Sequence, residues 1–94
     1  MPYIKQEQRE ELEPLIAELS SKMKALCGDD KTAFAGLLNY ACTKLALQTI
    51  PEKRYWAIAA TTGALRNAAE EFYRRYGVPY EDYMIKTNGD VYDS

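Results

Sequence analysis

Two short blocks hold most of the side chains with which this chain could do chemistry: Lys53-Arg54-Tyr55-Trp56 and Phe72-Tyr73-Arg74-Arg75-Tyr76. A guanidinium offers a planar fork of N–H donors that fits phosphate or carboxylate oxygens, and it stacks on aromatic faces. Arg54, Arg66, Arg74 and Arg75 are therefore candidate anion contacts. Tyr40, Trp56, Tyr76 and Tyr80 are candidate stacking surfaces for a nucleobase, each a large apolar body with one polar tip. Asn39 is a lone amide inside the apolar run Leu37-Leu38-Asn39-Tyr40-Ala41. It suits a hydrogen bond across helices, an interface register or a ligand contact. Plainer explanations stand beside these. Basic residues at a helix C-terminus favour the macrodipole, which accounts for Arg74 and Arg75 without a ligand. Arginine beside aromatic rings is also what protein interfaces favour.

Other chemistries are poorly served. The 94 residues include no histidine and two cysteines, with a net charge of −2. Without histidine there is no Ser-His-Asp triad, no Cys-His dyad and no imidazole base. Two cysteines cannot supply the four thiolates of a structural zinc. The acidic pairs Glu10-Glu11, Asp29-Asp30, Glu70-Glu71 and Glu81-Asp82 are adjacent residues that point apart on a helix, so none is a ready acid–base dyad. Asn88-Gly89-Asp90 lacks the repeated oxygen ligands of a calcium loop and reads as a turn. There is no GxGxxG and no phosphate loop. An enzyme is not expected, nor a metal or cofactor. The weak net charge argues against general DNA binding. No apolar run is long enough to span a membrane, and Met1-Pro2-Tyr3-Ile4-Lys5 has no apolar h-region, so a secretory signal is not expected. A cytoplasmic location is expected, with both thiols free, Cys42 as a small core residue and Cys27 partly exposed.

These side chains need helices to position them. Composition, 47% hydrophobic and 28% charged, is that of one small folded domain, taken as residues 1–94. The expected class is all-α: three main helices at about 14–27, 31–49 and 51–76, and a short one at about 79–87. Residues 5–13 read as an exposed, charged helical turn. Pro14 suits the first position of helix one, whose apolar face is Leu15, Ile16, Leu19, Met23 and Leu26. Gly28 ends it, and Asp29 or Asp30 caps helix two. Phe34, Leu37, Leu38, Ala41, Leu45 and Ala46 form the apolar face of helix two. Pro51 is expected to open helix three, and Gly77 and Pro79 to stop it. Tyr3-Ile4 and Val91-Tyr92 are β-prone pairs that could clasp the two ends.

Helix three carries Ile58, Leu65 and Phe72 at seven-residue spacing and six alanines between positions 57 and 69. At about 1.5 Å per residue it would run roughly 39 Å, against a diameter of about 32 Å for a compact domain of this length. Either it kinks near Gly63 or a second subunit covers it. A homodimer or higher oligomer is expected, with Ala59, Ala60, Gly63 and Ala64 as a candidate contact.

Met1-Pro2-Tyr3-Ile4-Lys5, Leu38-Asn39-Tyr40, Glu71-Phe72-Tyr73-Arg74-Arg75, Pro79-Tyr80-Glu81-Asp82 and Asn88-Gly89-Asp90-Val91-Tyr92 together resemble a family of small uncharacterised proteins encoded by bacteriophages and some bacteria. The resemblance brings no catalytic residues. It implies an accessory protein acting on host metabolism or host immunity. Combined with the arginines and tyrosines, it leads to two expectations. One is a non-enzymatic homo-oligomer that sequesters an anionic nucleotide-like ligand, for example a host immune signal. The other is an inhibitor or adaptor that docks on a host or phage protein through helix three and the tyrosine-rich C-terminus.

Overall fold

The computed structural model describes residues 2–92. The chain runs through α1 (Gln6–Cys27), a 3₁₀ turn (Lys31–Ala33), α2 (Phe34–Thr49), α3 (Tyr55–Phe72), a π-turn (Tyr73–Gly77) and α4 (Val78–Asn88). The all-α expectation is met. Among the described residues there is no strand, so the expected clasp lacks its strands. Backbone pairing over two residues repays little of the entropy of ordering them. Val91 and Tyr92 are exposed instead, and the Tyr92 N–H donates to Asp90 Oδ1 at 2.9 Å. Among the described residues no helix is long and apolar enough to cross a membrane.

Two units divide the chain, Pro2–Ile58 and Ala59 onward. In the first, α1 packs against the 3₁₀ turn and α2. The acidic stretch expected to be a separate turn belongs to α1, which therefore begins eight residues before Pro14 and holds that proline in its interior. The helix-favouring Glu, Gln, Arg and Leu residues on both sides carry it through, although Pro14 cannot donate to Glu10. Its start is fixed by Gln8, whose Oε1 accepts from the Lys5 N–H, and by Arg9, whose Nε donates to the Ile4 carbonyl at 2.9 Å. Asp30 caps the 3₁₀ turn: its Oδ1 accepts from the Thr32 N–H at 3.0 Å and the Thr32 hydroxyl at 2.6 Å. Those two bonds hold the Asp30 carboxyl below its ordinary range.

Pro51 does not open a helix. Ile50 before it is extended, with φ −60° and ψ 126°, as a residue preceding proline prefers. The chain bends through 52–54, and the first bonds of α3 run from Ala57 and Ile58 to the Arg54 carbonyl. In the second unit, Gly77 and Pro79 do not stop the helix either. The N–H of Val78 bonds to the Tyr73 carbonyl, five residues back. This wider turn eases the clash that the Pro79 ring would make with the carbonyl four residues earlier. The Tyr73 ring lies against Gly77, where a Cβ would sit 2.8 Å from Tyr73 Cδ2. Gly89, at φ 92°, closes α4 by donating to the Ile85 carbonyl. α3 itself runs unbroken through Gly63.

Burial departs from expectation. Among the described residues Ala57 alone is buried, at 1% exposure. Leu37, Ala41, Ala46 and Met23 are half-buried, whereas Phe34, Leu38, Leu45 and most of the α1 face are exposed. Cys42, expected in a core, is exposed, and Cys27 is half-buried; both are free thiols. Within the first unit, the apolar faces of α1 and α2 are left largely exposed by the elements packed against them.

Candidate functional site

The sequence candidates fall on both units. Asn39, Tyr40, Arg54 and Trp56 lie in Pro2–Ile58; Arg66, Arg74, Arg75, Tyr76 and Tyr80 lie beyond it. All nine are exposed.

In the first unit, Glu52 joins two candidates. Its Oε1 accepts from Trp56 Nε1 at 3.1 Å and faces Arg54 Nε at 3.7 Å. The carboxylate fixes the edge of the indole and neutralises the guanidinium beside it. The Thr43 hydroxyl donates chiefly to the Asn39 carbonyl, at 2.8 Å, with Asn39 Oδ1 at 3.3 Å as a second acceptor. Both contacts lie within α2 and none crosses to another helix among the described residues. Tyr40 is 66% exposed on the same helix. An apolar cleft of about 190 Å³ lies between α1 and α2, lined by Met23, Cys27, Phe34 and Leu38; none of the four candidates lines it.

In the second unit the π-turn organises the aromatic and basic block. Phe72 and Tyr76 stack, with ring centroids 5.2 Å apart and planes within 17°. Arg74 is paired with Glu71 one turn back. Tyr73 reaches across the π-turn to α4, its hydroxyl donating to Glu81 Oε2 at 2.5 Å. The Glu81 carboxylate accepts the phenolic proton, and with burial and its own negative charge it raises the Tyr73 pKa. Among the described residues Arg66 and Arg75 make no ion pair. They are the arginines with fully uncommitted guanidinium forks. A cleft of about 340 Å³ opens beside the end of α4, lined by Glu81, Met84, Ile85 and Asn88 among others. The arginines and Tyr80 do not line it.

Sequence reasoning missed the carboxylates that hold these side chains. Glu52–Trp56, Glu71–Arg74 and Phe72–Tyr76 have the three- and four-residue spacings of helix neighbours, so they could have been paired from sequence. Tyr73–Glu81 spans eight residues and depends on the extra residue of the π-turn, for which the sequence has no simple signature. Among the described residues no group of three or more His, Cys, Asp or Glu side chains is placed to hold a metal ion.

Each unit thus holds an aromatic side chain against a carboxylate, and among the described residues Arg66 and Arg75 of the second unit make no ion pair. No curated protein and no solved structure matches the chain. A family model, described as a domain of unknown function (DUF6899), covers residues 1–91, and the chain belongs to that family.

Proposed function

We propose that the chain is a non-enzymatic binding protein that acts by docking on another protein. The observation that carries this reading is the outward presentation of large side chains around the π-turn. Phe72, Tyr73, Tyr76, Tyr80 and Tyr83 are all more than half exposed, with Arg75 among them. Tyrosine and arginine with ordered rings are the residue types that dominate protein-binding energy. The Phe72–Tyr76 stack and the Tyr73–Glu81 bond hold three of these rings in place, which lowers the entropy lost on docking. The resemblance to small bacteriophage-encoded proteins supports a host or phage protein as the partner. The setting would then be the cytoplasm of a bacterial host, and the role that of an accessory inhibitor or adaptor.

The test is capture of one stoichiometric partner from host lysate by the full chain, repeated with Tyr76→Ala and Arg75→Glu. Each variant is expected to lower the affinity at least tenfold. Capture that survives both changes would remove the π-turn from the docking surface.

A second reading, sequestration of an anionic nucleotide-like ligand, has its own support. Arg75, which makes no ion pair among the described residues, adjoins Tyr76 of the Phe72–Tyr76 stack in the chain, and arginine with stacked rings is a residue set that suits a phosphate and a base. Titration calorimetry against cyclic dinucleotides and ADP-ribose derivatives separates the two. Saturable binding that Arg75→Glu abolishes would make the nucleotide the ligand.

A further inference from the structure

Gly77-Val78-Pro79 encodes two outcomes, and the structure shows one of them. A glycine just past the last helical residue, with a proline soon after, is an ordinary way for a helix to end. A residue before proline also avoids the helical region, and Ile50 before Pro51 follows that preference. Here the chain does the opposite. Gly77 has φ −76° and ψ −46°, and Val78 has φ −60° and ψ −46°. Both are helical, so α3 continues through the π-turn into α4. Pro14 is also carried inside a helix, but good helix formers flank it on both sides. Gly77 is a poor helix former, so a local contact must favour continuity over the stop that the same residues encode.

The Tyr73–Glu81 bond is placed to do this. Two residues eight apart on a regular helix point about 80° apart, at about 100° per residue. The extra residue of the π-turn makes the pair behave as if seven apart, within about 20° of each other. The Tyr73 hydroxyl therefore reaches Glu81 Oε2, at 2.5 Å, only while the turn is formed and α4 follows it. The Tyr73 ring lies where a Cβ on Gly77 would meet it at 2.8 Å, so the glycine that permits a stop also lets the ring close over the turn. A contact made in one arrangement and absent from the other shifts the balance toward the first. Phe72 and Tyr76 precede the break point, and Tyr80 and Tyr83 follow it.

We propose that Tyr73–Gly77 is a hinge with two arrangements, continuous or broken at Gly77, and that the Tyr73–Glu81 bond latches it in the continuous one. Latching keeps the tyrosines on either side of the hinge on one surface. That consequence rests on the docking reading; the hinge itself does not.

The test is the distance between spin labels at Asn67→Cys and Lys86→Cys, read by double electron–electron resonance on the full chain carrying Cys27→Ser and Cys42→Ser. Both labelled positions are exposed and lie on opposite sides of the hinge. The latched chain is expected to give one distance, on the order of 30 Å at about 1.5 Å per residue. Tyr73→Phe removes only the hydroxyl and should add a second, shorter distance. Adding Pro79→Ala removes the reason for the break and should restore the single long one. Such recovery is not open to a variant that merely misfolds. A single unchanged distance in Tyr73→Phe overturns the latch, as do two distances in the latched chain itself. A second distance that persists with Pro79→Ala overturns the hinge, because the helix end is then merely fraying. No partner is present in these measurements, so they stand if docking through Tyr76 and Arg75 fails. Partner capture undiminished by Tyr73→Phe, in a chain that shows the second distance, overturns the gating of the docking surface.

Discussion

At the scale of single residues, the carboxylates do the positioning. Glu52, Glu71 and Glu81 each hold a neighbour that sequence reading had marked or adjoined: Trp56 with Arg54, Arg74, and Tyr73. Tyr73 gives the clearest pH signature. Its pKa is raised above the ordinary 10.0 because Glu81 accepts from the neutral phenol. The folded state therefore binds that proton more tightly than the unfolded one. The contribution is complete below about pH 10 and is lost as pH rises through the folded value. The difference between wild type and Tyr73→Phe is the quantity to measure. The wild type should have the higher melting temperature from about pH 6 to 9, with the gap closing above about pH 10. A gap that persists at higher pH would mean the Tyr73–Glu81 bond does not act on the neutral phenol. The candidate arginines were legible because their type and aromatic neighbours are visible in the chain. Their commitments were legible only at helix spacing, which is why Glu71–Arg74 could have been foreseen and Tyr73–Glu81 could not.

At the scale of elements, proline and glycine marked helix boundaries less faithfully than periodicity and charge suggested. Gly89 closes α4 with a positive φ that other residues rarely adopt, where the sequence reads as a turn. Pro14 did not begin a helix, Pro51 did not reopen one, and Gly77-Val78-Pro79 did not end one. In each case the local rule lost to the segment around it. The π-turn is the most informative instance, since inserting one extra residue into the ladder lets the chain stay helical into a proline. It is also the most testable. A methyl group at position 77 would lie under 3.0 Å from the Tyr73 ring, and that ring is tied to Glu81. Gly77→Ala must therefore displace the ring or break the bond. We expect it to lower the melting temperature by several degrees despite the better helix propensity of alanine. Tyr73→Ala in the same chain should cancel most of that loss, because the obstacle is gone. Equal losses with and without the ring would show that Gly77 matters for its backbone alone.

At the scale of the whole molecule, the question is where the apolar surface goes. The spacing of apolar residues in α1 and α2 led to an expectation of buried faces, yet most of those side chains are exposed. Sequence periodicity reports that a face wants cover; it does not report whether the cover comes from the same chain. Isolated helices of this length are marginal in water, and their stability in proteins comes mainly from packing an apolar face. If that packing is supplied by a second copy, folding and association are one equilibrium, and the folded state is favoured by mass action. The melting temperature should then rise with protein concentration, by several degrees over a hundredfold range. A melting temperature independent of concentration, for a chain that sediments as a monomer, would mean that each helix face finds its cover within a single chain.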